Sequence, residues 1–177
     1  MNNAIKHFMT ITKHRHQVIK NCKRCGILFQ GLRHDLSKYS PTEFLSGAKF
    51  YQGNKSPNDA ERRVNGYSVA WMHHKGRNRH HFEYWTDYYP PTGVISPVEM
   101  PIKYVVEMFC DRVAASKIYL KDKYTDSSAL EYLMQAKNRR IIHPKTSDLL
   151  ESMLVMLSEK GEKETFAYIK KNIIKKK

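Results

Sequence analysis

The dipeptide His34-Asp35, in the run Arg33-His34-Asp35-Leu36-Ser37-Lys38, sets an imidazole beside a carboxylate in a chain whose other histidines also come in groups. His14 and His16 precede it, the doublets His73-His74 and His80-His81 follow, and Asp111 stands later in an apolar run. Imidazole nitrogen and carboxylate oxygen together suit a divalent transition metal such as Mn, Fe, Co, Ni or Zn. Adjacent residues share one ion only if the backbone turns both side chains to the same side. The chain therefore reads first as a metal site, of one or two ions, with a protein built around it.

Asp111 falls between Phe109 and Val113. A carboxylate in such company is costly to bury unless it is paired, hydrogen-bonded or bound to metal. Arg112 is its neighbour and Lys117 lies six residues on, so neither has the helical spacing of a good ion-pair partner. His14 comes one helical turn before Val18, which places an imidazole beside an apolar anchor. His16 competes with it for the same role.

These residues need helices to position them. Ile5, Phe8, Met9 and Thr12, then Val18, Ile19 and Cys22, recur at helical spacing, which predicts one or two helices over about 4–29 ending near Gly26 or Gly31. Ser40-Pro41-Thr42-Glu43 has the pattern of a capping box with proline at the first helical position, predicting a helix from Pro41 to about Tyr51. A further helix is expected over about 58–72, delivering the first His doublet, followed by a short polar loop over 73–79. Tyr88-Tyr89-Pro90-Pro91-Thr92-Gly93 reads as an irregular connector. Pro101 opens a strong helix to about Tyr119, and helices over about 128–139, 147–159 and 162–174 finish the chain, the last two parted at Gly161. No alternating strand pattern, internal repeat or linker emerges. The expectation is an all-α single domain over 1–177, with the motif-bearing part at about 10–120 and the later helices packed on it.

A chain of 177 residues can bury a real core. Its net charge of +14 is unevenly spread: up to residue 38 the single acid is Asp35, and the chain ends on Lys175-Lys176-Lys177. Such a field favours anionic partners, from phosphoesters and nucleotides to nucleic acid or an acidic membrane surface, or simply aids solubility. No stretch approaches the roughly 20 apolar residues that cross a bilayer. The N-terminus lacks the apolar core of a signal peptide. Three cysteines are an odd number for a disulfide framework, so a reducing cytoplasm is expected. Cys22-x-x-Cys25 has zinc-like spacing but no second pair completes four ligands. Tyr84, Trp85, Tyr88 and Tyr89 suit core or lid packing better than stacking on a base, and Met153 and Met156 read as core.

The order His14, His34-Asp35, Asp111 resembles the HD-domain superfamily of helical metal-dependent phosphohydrolases. Gly31-Leu32-Arg33-His34-Asp35-Leu36-Ser37-Lys38 looks like that family's helix-end segment, and the helix from Val105 to Lys117 looks like the one that carries its closing aspartate. The chain also resembles a little-characterised bacterial family of small HD-like proteins, through the segments 34–41 and 73–85. The resemblance covers about residues 10 to 120. It implies an HD-like helical bundle with His14, His34, Asp35 and Asp111 as ligands of a first metal. One histidine of each doublet, entered here as His74 and His81, would serve a second metal bridged by Asp35, although their separation is shorter than two-metal members show. Alternatively the doublets bind phosphate or line a polar loop.

The implied activity is hydrolysis of a phosphoester or nucleotide by a metal-activated water, with Asp35 and Lys38 catalytic. Lys38, Lys75, Arg77 and Arg79 would bind the phosphate, or form a solvated face. Glu83 would orient an imidazole or pair with Arg79. Two other classes remain open: a two-iron HD-like oxygenase, and a basic helical module binding nucleic acid without catalysis.

Overall fold

The computed structural model describes residues 2–135 and 140–175. The chain forms eight α-helices among these residues: α1 Asn3–Cys25, α2 Leu28–Arg33, α3 Pro41–Lys49, α4 Pro57–Asn65, α5 Val69–Lys75, α6 Ile102–Leu120, α7 Ser128–Met134 and α8 Pro144–Tyr168. The domain is mostly helical, as its periodicity predicts. The expected end of the seventh helix near Arg139 lies outside the described residues, as do Lys176 and Lys177.

The long first helix runs unbroken until Gly26, whose φ of 83° supplies the left-handed cap that a side chain would resist. It inserts His7, Ile11, His14, Val18, Cys22 and Cys25 on one buried stripe, while His16 faces solvent. That stripe rests on α6, the central helix, which is buried from Val105 through Cys110 and again at Val113 and Ala114. Leu150, Met153, Leu154 and Leu157 of α8 close the core from the other side, with Phe166 packed on Phe109 at 5.5 Å between rings. Met156 is only half-buried. The three cysteines meet in this core as free thiols, Cys25 Sγ and Cys110 Sγ being 3.6 Å apart.

Three expectations change. The helix foreseen over 58–72 is two helices, because Gly66 adopts φ 80° at the end of α4 and Ser68 caps the start of α5 by accepting from the Trp71 amide. The connector after Trp85 contains a hairpin, β1 Thr86–Tyr89 with β2 Val94–Pro97, in the register Tyr89↔Val94 to Thr86↔Pro97. Its strands span four residues each and are mostly exposed, so no buried alternation marks them in the sequence. The capping box at Ser40 does not form: Ser40 makes no side-chain cap and Glu43 turns inward to other partners. The break at Gly161 does occur, at φ 74° and ψ 172° inside α8.

Candidate metal centre

Four elements converge on Asp35. α1 contributes His14, the turn after α2 contributes His34 and Asp35, α5 contributes His74, and α6 contributes Asp111. Asp35 has φ 53° and ψ 24°, one of two described non-glycine residues with positive φ. This sparsely populated conformation costs free energy outside functional sites. It turns the carboxylate back beside the preceding imidazole, bringing His34 Nε2 and Asp35 Oδ2 to 3.2 Å. The condition for two adjacent ligands to share one ion is thereby met.

Three groups of ligand atoms result, each with its atoms within 4.8 Å of one another: His14, His34, Asp35 and Asp111 in one, Asp35, His74, His80 and His81 in a second, and His34, His80 and Glu107 in a third. Asp35 is common to the first two. His14 Nε2 lies 3.0 Å from Asp111 Oδ1, and His74 Nε2 and His80 Nε2 lie 3.3 Å and 3.5 Å from Asp35 Oδ1. His14 is 7% exposed and points inward, which separates it from His16. From the doublets the second group takes both His80 and His81 but only His74; sequence reasoning had entered His81 alone from the later pair.

The Nε2 atoms of His14, His34 and His80 and both oxygens of Asp35 are buried without a well-directed hydrogen bond among the described residues. An unpartnered buried polar group costs about 1–3 kcal/mol; Lys38 Nζ pairs with Asp35 Oδ2 at 2.7 Å, and the other four, Asp35 Oδ1 and the three Nε2 atoms, call for a common partner. His14, His34 and Asp35 each place a ligand atom within 4.8 Å of one another, as do Asp35 and His80, spacings that a cation fits. The residues thus fit a divalent ion, or two sharing Asp35.

Two carboxylates that sequence reasoning missed orient these imidazoles from behind. Glu107 Oε1 accepts from His34 Nδ1 at 2.9 Å and lies 3.3 Å from His80 Nδ1, while its Oε2 accepts from Gln30 Nε2 at 2.7 Å. Glu43 accepts from His73 Nδ1 and from His74 Nδ1, each at 2.7 Å. Fixing Nδ1 as the protonated nitrogen frees Nε2 for an ion. His73 is spent on this contact and belongs to none of the three groups. A signal for Glu107 existed in its position, four residues before Asp111 on the same helix face.

The electrostatics follow from burial and crowding. Burial alone would push the Asp35 carboxyl up, yet His34, Lys38 and His74 hold it well below the usual carboxylate range. Asp111 is likewise depressed against burial by the adjacent imidazoles of His14 and His34, whose Nε2 atoms lie 3.0 Å and 3.6 Å from its Oδ1. Glu107 is brought to about 2 in spite of burial, chiefly by His34 and His80. Burial, with the neighbouring His80 and His74, drives His81 well below the ordinary histidine value.

The expected phosphate-binding cations divide. Lys38 Nζ lies 2.7 Å from Asp35 Oδ2 and lines a cavity beside the centre; among the lining residues the other lysine is Lys55. Lys75, Arg77 and Arg79 do not line it. Arg77 folds back on the His73 carbonyl at 3.3 Å, and Arg79 reaches Tyr104 Oη at 3.4 Å and lies over the Tyr84 ring. Glu83 forms no ion pair with Arg79 among the described residues; burial raises its carboxyl, with one oxygen unpartnered. The aromatic residues Tyr84 and Trp85 pack beside Tyr104 rather than into the cavity.

Fold and site together define a mostly helical domain with a buried histidine–carboxylate cluster whose atoms could hold a metal ion. Residues 3–156 match the model of a family of unknown function, DUF5662, and the chain belongs to that family. No curated protein and no solved structure matches it. No helix among the described residues is long and apolar enough to cross a membrane.

Proposed function

We propose that this protein is a metal-dependent phosphohydrolase acting on an anionic small molecule, a phosphoester or nucleotide. The observation that carries the reading is the set of buried ligand atoms on His14, His34, His80 and Asp35 without a well-directed hydrogen bond among the described residues, Asp35 Oδ2 alone having an ion-pair partner in Lys38. The order of these residues in the chain, which resembles the HD-domain superfamily, supports the same reading. A divalent ion held there supplies the positive charge that acidifies water and draws electrons from a phosphoryl oxygen.

The chain's own groups do the rest. Lys38 stays protonated because Asp35 and Asp111 raise its pKa against the effect of burial, and its ammonium neutralises charge growing on the phosphate. Asp35 stays ionised and anchors the two ligand groups that share it. Glu107 and Glu43 hold their imidazoles in one tautomer and one orientation, so that the site needs no rearrangement when substrate arrives.

The test uses the purified full chain with added Mn²⁺, Co²⁺ or Ni²⁺ and a panel of phosphoesters and nucleotides. Phosphate release is expected, and Asp35→Asn should abolish it with the helical circular dichroism intact, since asparagine tolerates positive φ. Undiminished turnover in that variant, or no release with any metal, refutes the proposal. The sharing of Asp35 between two groups also suits a two-iron oxygenase. Iron in the purified protein, with an optical change on reduction that depends on dioxygen, would favour that reading instead.

A further inference from the structure

The cavity beside the centre has a volume of about 110 Å³. Its lining joins Lys38, His74, His81 and Asp111 of the centre to a second set, His7, Thr10 and Tyr51, that the centre does not use. His7 is 6% exposed and has no hydrogen-bond partner among the described residues. Its ring lies 5.5 Å from that of Phe44 and 6.1 Å from that of Tyr51. The space is made by Gly47, where a Cβ would fall 2.2 Å from His7 Nε2. Gly47 thus admits the His7 ring itself, whose Nε2 end packs against it, and this fixes in the cavity wall a buried imidazole with no hydrogen bond of its own among the described residues.

The chemistry of that partner follows from the lining. Burial, and then Lys38, bring the His7 pKa to about 4, so the ring is neutral at pH 7 and offers one donor and one acceptor. Thr10 Oγ1 donates to the Lys6 carbonyl at 2.9 Å and accepts from the Tyr51 hydroxyl at 3.0 Å, so the pair adds uncharged acceptors. Such groups match alcohol hydroxyls; of the two lysines in the lining, half-buried Lys38 is the one paired with Asp35 and is assigned to the phosphate. Size sets the other limit. The cavity is far below the ~300 Å³ at which pockets for drug-sized ligands begin.

We propose that this cavity seats the leaving group of the substrate, a compact polyhydroxy alcohol of about glycerol size held by His7, and that it excludes nucleosides. The inference rests on the phosphohydrolase reading. In the reaction the oxygen of water bonds to phosphorus and the phosphorus–oxygen bond to the alcohol breaks. One proton of the water ends on the departing alkoxide and the other on the phosphate, with no change of oxidation state.

The experiment compares glycerol 3-phosphate with adenosine 5′-monophosphate as substrates of the full chain with Mn²⁺. We expect kcat/KM at least tenfold higher for the glycerol ester, and His7→Phe to raise its KM about tenfold. Equal or better turnover of the nucleotide overturns the inference while leaving the phosphohydrolase reading intact; release from neither ester sinks both. A second readout does not depend on the fold of the His7 variant. In the inactive Asp35→Asn protein, glycerol 3-phosphate should shift the His7 ring resonances in the NMR spectrum, and unmoved resonances at saturating ester refute the contact.

Discussion

Replacing Glu107 by glutamine should weaken metal binding about thirtyfold without unfolding the protein. The carboxylate takes the Nδ1 proton of His34 at 2.9 Å and faces His80 Nδ1 at 3.3 Å, so one side chain aims an imidazole from each ligand group. With its pKa near 2 it is fully charged at any working pH. Hydrogen bonds to a charged group contribute about 1.5–3 kcal/mol against about 0.5–1.5 for neutral ones. Glutamine keeps the shape and one acceptor oxygen, so the change removes about 1 kcal/mol at each imidazole, about 2 in all. At about 1.4 kcal/mol per factor of ten this is roughly thirtyfold in Kd, inside the 10–100-fold typical of residues that orient metal ligands. Calorimetric titration of Mn²⁺ into metal-free protein reads the constant directly, and far-ultraviolet circular dichroism checks the helices. A Kd within twofold of the parent would show that Glu107 does not orient ligands.

Gly161→Ala should destabilise the fold by about 1–3 kcal/mol, because φ 74° with ψ 172° is a region reserved almost wholly for glycine; a lower denaturant midpoint with unchanged slope is the expected reading, and an unchanged midpoint would contradict it. His7 gives a pH signature. Its pKa falls from 6.5 unfolded to about 4 folded, so between these values the unfolded chain binds the proton and the folded one does not. Stability from this group is therefore present above pH 6.5 and lost as pH falls to about 4, by about 3 kcal/mol. Chemical denaturation at pH 7 and pH 4 should show a drop smaller by that amount in His7→Phe, and equal drops in both proteins would refute the assignment.

Much of the helical frame was legible because it rests on local rules. Apolar spacing marked α1 and α6, and Gly26 and Gly161 marked an end and a break that the structure keeps at positive φ. The hairpin after Trp85 was not legible, since two exposed four-residue strands bury no alternating face. Ser40 and Glu43 show how a local rule can lose. Glu43 has the spacing of a cap, but two imidazole N–H groups from α5 at 2.7 Å outbid one backbone amide that solvent can satisfy.

Residue types and order alone determined that this chain carries a cluster of imidazoles and carboxylates, and that helices would hold it. The spacing to Val18 already favoured His14 over His16, but only the folded molecule decided which of the others meet: His80 and His81 together, Lys38 at the cavity and Arg77 and Arg79 away from it. The physical reason is range. Helical periodicity repeats every few residues and can be read locally, whereas the contact between His34 and Glu107 joins groups 73 positions apart and exists only once the turn after α2 has come against α6.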